Sequence, residues 1–276
     1  MPASTPSTPP TPPSAPGTRA QSVPATPPSA PAASPSAPPP TPAPPSAAPT
    51  AGDATAAAIE ALADRARRLS AGASARRILL GITGSPGAGK TTLARALVAS
   101  LNAGASEQVA VHLPMDGFHL ANATLDRLGL RERKGAIETF DAWGFVALLE
   151  RVLHETEHTV FAPAFERHID EPVAGEIPIE PSARIVIVEG NYLLSDLEPW
   201  TRVRGLLAES WFCDTDEGER MLRLVRRHTA SGRTPDTAHA WATDVDGANA
   251  RRIEPTRARA DLVVSGDTWQ IVATDS

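Results

Sequence analysis

The apolar residues of the chain fall into short runs that predict buried strands, separated by segments with apolar positions at helical spacing. Residues 78–83 (ILLGIT), 109–113 (VAVHL) and 185–188 (IVIV) are rich in branched aliphatic side chains, as strands covered on both faces are. Residues 89–101 place apolar side chains three or four positions apart, as an amphipathic helix does. This alternation predicts an α/β fold with a doubly wound, mostly parallel sheet and helices on both faces.

Two carboxylates follow the predicted strands at their carboxyl ends, which is where α/β proteins carry their chemistry. Asp116 comes shortly after residues 109–113, and Glu189 directly follows the IVIV run. Each has a plainer explanation, because Asp116 and Gly117 form an ordinary turn pair and Glu189 would cap the next turn. Beside a bound nucleotide, Glu189 would instead be a partner for a metal ion.

The first 50 residues differ in composition from the rest, with 19 of the 28 prolines and Arg19 as their single charged side chain. A segment with so little apolar surface does not offset the entropy of ordering, so we expect residues 1–52 to form a disordered tail. A solvated spacer is one role for this tail, and a ligand for a proline-reading domain is the alternative. The tail lacks the apolar stretch of a signal peptide and the arginines of a transit peptide.

Residues 53–276 are enough for one α/β domain with a full core. No stretch approaches the roughly 18 apolar residues of a membrane span, so we expect a cytoplasmic protein without a membrane partner. The net charge of −6 gives nucleic-acid binding no support. The single cysteine, Cys213, excludes a disulfide framework and a cysteine-based zinc site.

Between the predicted strand and helix lies GSPGAGKTT, residues 84–92, with the G-x-x-x-x-G-K-[ST] spacing of a phosphate-binding loop. Its glycines permit positive φ angles, so that successive backbone N–H groups turn toward phosphate oxygens at a helix N-terminus. Lys90 adds a positive charge for the β- and γ-phosphates, and Thr91 a hydroxyl ligand for Mg²⁺. The alternative is a glycine-rich turn that binds nothing. The residues expected to bind ATP are Gly84, Ser85, Pro86, Gly87, Ala88, Gly89, Lys90, Thr91 and Thr92.

A phosphate-binding loop is shared by GTPases, motor ATPases, transporters and small-molecule kinases. A guanine-reading N-K-x-D motif needs a lysine followed two residues later by aspartate, and neither Lys90 nor Lys134, the only lysines, has one. The sequence therefore disfavours a GTPase.

Residues 217–233 carry several arginines at spacings of three and four, so that one helical face presents several guanidinium groups. A solvated basic face is the usual explanation for such a run. The Gly-Arg-Thr-Pro turn at residues 232–235 could also act as the hinge of a mobile segment.

In combination, these segments resemble the phosphoribulokinase/uridine kinase family of P-loop kinases, in particular its nucleoside/nucleotide kinase-like and pantothenate kinase-like branch. The matching sequences, in family order, are GSPGAGKTT, PMDGFH, RKGAIETFDAWGF, APAFERHIDEP, VEGNYLL, RLVRRHTASGR and NARRIEPTRARADLVV. They cover nearly all of residues 78–265. PMDGFH followed by KGAIETFD is the specific part of the resemblance, since the phosphate loop alone is generic.

The resemblance implies an ATP- and Mg²⁺-dependent kinase that phosphorylates a hydroxyl of a small molecule: a nucleoside, a sugar or a pantothenate-like alcohol. It places the role of proton acceptor on Asp116. It also implies a lid over the ATP phosphates, with Arg223, Arg226 and Arg233 as the arginines that contact them. Members of this family often form dimers or tetramers, so the resemblance leaves a homo-oligomer open.

The resemblance further implies which segments line the acceptor pocket. The candidate residues there are His119, Lys134, Phe165 and Arg167. Phe165 stands where relatives often have tyrosine, so a hydroxyl contact is lost. A lysine and an arginine facing the acceptor would suit an anionic substrate, or they would pair with Glu138 and Asp141 instead. The alternative to an enzyme is an ATP-binding regulator with vestigial hydrolysis that acts through its proline-rich tail.

Overall fold

The computed structural model describes residues 51–272. The tail predicted over residues 1–52 lies outside the described residues, except for its last two, which begin the first helix. The strands are β1 Ile78–Thr83, β2 Ala110–Pro114, β3 Val160–Glu166, β4 Glu171–Ile179, β5 Ile185–Glu189, β6 Glu209–Asp214 and β7 Leu262–Ser265. The helices are α1 Ala51–Gly72, α2 Lys90–Asn102, α3 Asn122–Leu128, α4 Ala142–His154, α5 Thr201–Leu206, α6 Glu217–Ala230, α7 Pro235–Trp241 and α8 Gly247–Ile253.

Five strands form one parallel sheet in the order β2-β5-β1-β6-β7. Alternate residues of its strands enter two separate cores. Ile78, Leu80 and Ile82 of β1 pack with α1 and α2 on one face, whereas Leu79 packs with α4 on the other. The expectation of a doubly wound sheet with helices on both faces is confirmed. The runs predicted from sequence as strands coincide with β1, β2 and β5 to within one residue at each end.

The register of the sheet brings the two predicted carboxylates to the same end of the sheet, at the carboxyl ends of β2 and β5. Glu189, at the end of β5, pairs with Ile82 of β1 on one side and with Pro114 of β2 on the other. The phosphate loop follows β1, and a short 3₁₀ turn that contains Asp116, Met115–Phe118, follows β2. Three elements with chemically useful residues therefore leave the sheet at neighbouring positions.

A two-stranded antiparallel hairpin, β3 with β4, lies outside the main sheet. The sequence analysis did not predict it as strands, because prolines interrupt both of its sequences and are unfavourable in central strands. A two-stranded ribbon tolerates them at its edges. Gly117 packs so closely on the carbonyl group of Pro163 that a Cβ atom there would clash with it. The hairpin thereby sets the position of the Asp116 turn.

The segment after β6 consists almost entirely of helix. Asp216 caps α6 by accepting hydrogen bonds from the backbone N–H groups of Gly218 and Glu219. A turn with Gly232 at φ 94° then leads into α7, whose N-cap is Thr234. One π-helical turn, Ala242–Asp246, connects α7 to α8. Among the described residues, no helix is long and apolar enough to cross a membrane.

Candidate active site

The phosphate loop forms a turn of backbone between β1 and α2. Gly84, Gly87 and Gly89 all have positive φ angles, of 139°, 82° and 95°. At Gly84 a side chain is excluded by packing as well, because a Cβ atom would clash with the carbonyl oxygen of Cys213 on the adjacent strand. This backbone fits the phosphate groups of a nucleotide, since its N–H groups and the N-terminus of α2 favour negative charge.

Lys90, the first residue of α2, is buried, and its Nζ atom donates a hydrogen bond to the carbonyl oxygen of Ser85 at 3.0 Å. Burial lowers the pKa of the Lys90 ammonium group, while the charges of Glu189 and Asp116 act in the opposite direction. The Ser85 hydroxyl is buried and bonded to Glu254, and Thr92 is exposed at the surface. Of these side chains, Lys90 is the one placed to meet a phosphate charge.

Glu189, at the end of β5, is in contact with two side chains. The Thr91 hydroxyl donates to its Oε2 atom at 3.2 Å, and Nε2 of His112 lies 3.4 Å from the same oxygen. Burial alone would raise the pKa of Glu189, but His112 and the charge of Lys90 outweigh it and lower the pKa. Glu189 is therefore a carboxylate at neutral pH. His112 was not among the predicted site residues.

The chemistry of this donor set fits a magnesium ion. The hydroxyl of Thr91 and the carboxylate of Glu189 are oxygen ligands, which Mg²⁺ prefers, and Mg²⁺ commonly takes only one or two protein ligands beside phosphates and water. In residues 51–272 there is no cluster of three or more His, Cys, Asp or Glu side chains that could hold a metal by itself.

Asp116 lies in the turn after β2, and within residues 51–272 its carboxylate forms no hydrogen bond or ion pair. Its charge acts on the pKa values of both Lys90 and Tyr192, which places it among the residues of this edge. The backbone around it is fixed, because the carbonyl oxygen of Asp116 accepts a hydrogen bond from Nδ1 of His119 at 2.8 Å. A fixed turn with an unpaired carboxylate is what a proton acceptor for a substrate hydroxyl requires.

The structure separates the three lid arginines predicted from sequence. Arg223 reaches the phosphate loop, with Nη1 3.5 Å from the carbonyl oxygen of Gly87, and forms an ion pair with Asp267. Arg226 is exposed. Arg233 contacts His228 of α6 and the ring of Trp241 at the end of α7.

Two other arginines of α6, not predicted as site residues, share the face of the helix on which Arg223 lies. Arg220 is buried and donates to the carbonyl oxygen of Pro86 at 2.9 Å. Arg227 is near enough to Lys90 for its charge to lower the pKa of Lys90. Their spacing from Arg223, three residues before and four after, is the helical signal that could have identified them.

Three of the four predicted acceptor-side residues lie together. The ring of His119 is 4.8 Å from that of Phe165, and Nζ of Lys134 lies 4.9 Å from the Phe165 ring centroid. Burial lowers the pKa of His119, which favours the neutral ring. Arg167 is exposed in the β3–β4 turn. The structure therefore joins a histidine, a lysine and an aromatic ring beside Asp116, without Arg167.

The ion pairs suggested from sequence for this region are not formed. Lys134 pairs with Asp170 at 2.9 Å, whereas Glu138 pairs with Arg133, and Asp141 accepts a hydrogen bond from the backbone of α4 as its N-cap. The reason is the hairpin, which brings Asp170 to Lys134 from a distant part of the chain.

Next to Lys134, two side chains converge on one backbone carbonyl group. The hydroxyl of Tyr192 and the amide of Asn249 both donate to the carbonyl oxygen of Gly135, at 2.8 and 3.2 Å. Burial raises the pKa of Tyr192, which keeps its phenol protonated. Neither side chain was a predicted site residue. Their contacts fix the KGAIETFD loop against α8 and the end of β5.

Comparison with known proteins agrees with this geometry. The sequence profile of the phosphoribulokinase/uridine kinase family matches residues 79–272. The chain belongs to this family. An ATP-dependent kinase-like protein of Aspergillus versicolor is 39% identical over 170 residues, which are 58% of this chain and 98% of that protein. A pantothenate kinase of Parvibaculum lavamentivorans is 32% identical over 225 residues, or 70% of this chain and 68% of that enzyme.

Solved structures show the same fold. The crystal structure of a proposed fructose transport system kinase from Silicibacter sp. TM1040 superposes with a TM-score of 0.68 at 38% identity, over 74% of this chain and 98% of that one. The resemblance read from the sequence is thus confirmed at the level of family and fold. The named relatives differ in what they phosphorylate, so they establish a P-loop kinase and leave its acceptor undetermined.

Proposed function

We propose that this protein is an ATP-dependent kinase that transfers the γ-phosphoryl group to a hydroxyl of a small molecule. The observation that carries the proposal is the position of Asp116. Asp116 follows β2, whose neighbour β5 ends in Glu189, and its turn is fixed by His119 and the hairpin. Among the described residues its carboxylate forms no hydrogen bond or ion pair. A protein that only bound nucleotide would not need an unpaired carboxylate at this point.

The residues suit each part of phosphoryl transfer. The backbone of residues 84–89 would hold the phosphates, and Thr91 and Glu189 would hold Mg²⁺, which neutralises phosphate charge when bound. Asp116 accepts the proton of the acceptor hydroxyl as its oxygen forms a bond to the γ-phosphorus. The bond from that phosphorus to the bridging oxygen of ADP breaks, and ADP leaves. Lys90 neutralises the charge that develops on the phosphate oxygens.

The acceptor side favours a compact polar alcohol. His119 and Phe165 supply flat apolar surface next to Asp116, as in a pocket that holds a small molecule by a few polar groups. Lys134 is already neutralised by Asp170, which weakens the case for a strongly anionic acceptor. Nucleosides, sugars and pantothenate-like alcohols remain the candidate classes.

The test is ADP release by the full-length protein with Mg-ATP across nucleosides, sugars, pantothenate and their phosphates, with Asp116→Asn in parallel. We expect one acceptor to stimulate turnover and Asp116→Asn to reduce kcat by about 10²- to 10⁴-fold. ATP affinity should be unchanged in the variant. Equal stimulation of both proteins would show that Asp116 is not the proton acceptor.

A further inference from the structure

The helical segment of residues 217–253, which begins with the arginines predicted to form a lid, contains a buried pair of side chains that the mechanism above does not use. Nε2 of His228, in the last turn of α6, lies 2.6 Å from Oδ2 of Asp246, at the end of the π-helical turn. Both residues are buried. π-Helical turns occur in structures frequently at functional sites. Here the turn ends on Asp246 and so carries the carboxylate that meets His228.

Both ring nitrogens of His228 have partners, and these partners define its protonation. Nη1 of Arg233 lies 3.1 Å from Nδ1. Because a guanidinium group only donates, Nδ1 must accept, and the ring proton must be on Nε2, which donates to Asp246. His228 thus links Asp246 to Arg233 through two hydrogen bonds.

The orientation of Arg233 depends on uncharged contacts. Besides His228, its guanidinium group stacks on the ring of Trp241, 4.2 Å from the ring centroid. Neither contact neutralises the positive charge, so the arginine keeps its attraction for an anion.

The other oxygen of Asp246 faces a second arginine. Nη2 of Arg227 lies 3.6 Å from Oδ1, a longer separation than that of the His228 bond. Arg227 lies on the same face of α6 as Arg220 and Arg223, which contact the phosphate loop, and its charge contributes to lowering the pKa of Lys90. Asp246 thus contacts Arg227 directly and is connected to Arg233 through His228.

We propose that His228 and Asp246 are positioning residues, which hold Arg227 and Arg233 in the orientation from which both guanidinium groups bind the phosphates of ATP. The proposal rests on the proposed function, since it concerns the phosphates of the same nucleotide. It assigns to Arg227 the place that the sequence analysis gave to Arg226. Neither His228 nor Asp246 touches the reacting atoms.

The test compares the affinity of full-length variants for two nucleotides by calorimetry in the presence of Mg²⁺. The probes are the non-hydrolysable β,γ-imido analogue of ATP and ADP. His228→Leu removes both hydrogen bonds, His228→Gln keeps one donor and one acceptor, and His239→Leu changes an exposed histidine of α7 as the control. We expect His228→Leu to weaken analogue binding about tenfold and ADP binding less than twofold. His228→Gln should recover most of the loss.

A double-mutant cycle separates positioning from general stability. If His228 acts through Arg233, then His228→Leu should change analogue affinity by less than about twofold in a chain that already carries Arg233→Ala. Multiplicative losses in the double variant would overturn the proposal. So would equal loss of both nucleotides in His228→Leu, or equal losses in His228→Leu and His228→Gln. If His228→Leu does not fold, Asp246→Asn takes its place with the same expected selectivity.

The result is distinct from that of the acceptor screen. Selective loss of analogue binding, without any acceptor that stimulates turnover, would support the positioning role and refute the kinase assignment. Acceptor-dependent turnover with unchanged analogue affinity in every lid variant would do the reverse.

Discussion

The Thr91 hydroxyl, on the helix that follows the phosphate loop, donates a hydrogen bond to the Glu189 carboxylate across 3.2 Å. One of these residues follows β1 and the other ends β5, so the bond exists only because the two strands are neighbours in register. Both groups are oxygen ligands for Mg²⁺. The sheet thus brings together a pair of ligands that are 98 positions apart in sequence.

Replacing Glu189 with glutamine should weaken the binding of Mg²⁺ at the active site. The variant keeps the shape of the side chain but removes the charge, so we expect the Mg²⁺ concentration for half-maximal turnover to rise about tenfold or more. Turnover as a function of Mg²⁺ at saturating ATP measures the effect. Glu176→Gln, at an exposed position of β4, is the control and should leave the curve unchanged. An unaltered curve for Glu189→Gln would remove Glu189 from the metal site.

Lys90→Met should abolish turnover while leaving the fold intact. Methionine fills a similar volume but cannot neutralise phosphate charge, so we expect kcat to fall by at least about 100-fold. Arg95→Met, at an exposed position of the same helix, is the matched control. A Lys90→Met protein that kept most of its activity would refute the assignment of the phosphate loop.

Cys213 should resist thiol reagents in the native protein. Burial raises its pKa to about 12, and its Sγ atom donates to the carbonyl oxygen of Ala88 at 3.0 Å. At pH 8 the thiolate fraction is then about 10⁻⁴, because that pH is four units lower. We expect labelling by a disulfide reagent to be slow, to follow unfolding, and to abolish nucleotide binding, since the label would displace the phosphate loop. Rapid labelling with retained binding would contradict this packing.

The same thiol should make the free energy of unfolding decrease at alkaline pH. The folded state holds the proton of Cys213 more tightly than the unfolded chain, whose thiol titrates near 9.0. The contribution of the buried thiol is therefore fully present below pH 9 and declines as the pH rises toward 12. Cys213→Ala should lose less stability than the unmodified protein between these values, as measured by urea unfolding.

Removal of residues 1–50 should leave acceptor-dependent turnover within about twofold of the full-length value. The deletion ends before Ala51 because α1 begins there. All of the site residues lie in the remaining chain. Loss of turnover in the shortened protein, with an unchanged melting temperature, would support the regulator that works through its tail.

The strands and carboxylates of the active edge were predictable because they depend on local signals. β1, β2 and β5 are short branched aliphatic runs, and a carboxylate directly after such a run lies at the sheet edge in any parallel arrangement. Asp116 and Glu189 could therefore be found without knowing the order of the strands. Only their mutual proximity required the register.

The arginines of residues 217–233 could not be assigned to the site from local signals alone. The sequence indicates that α6 has a basic face, but which of Arg226 and Arg227 faces the phosphate loop depends on how the helix is rotated against it. The bond between His228 and Asp246 depends on how α6 and α7 pack and on a π-helical turn, and no local sequence pattern predicts that turn. Asp170 reaches Lys134 only through the hairpin. Each of these contacts is set by tertiary packing.

The hydrogen bond from Arg220 to the carbonyl oxygen of Pro86 attaches the first half of α6, but not its second half, to the phosphate loop. The first half, in which Arg220 and Leu224 are buried, packs against the phosphate loop and is fixed relative to it. We therefore expect any closure over a bound nucleotide to involve only the part of α6 beyond Leu224 and the segment that follows it. The size of that segment would then limit how large an acceptor enters after the nucleotide.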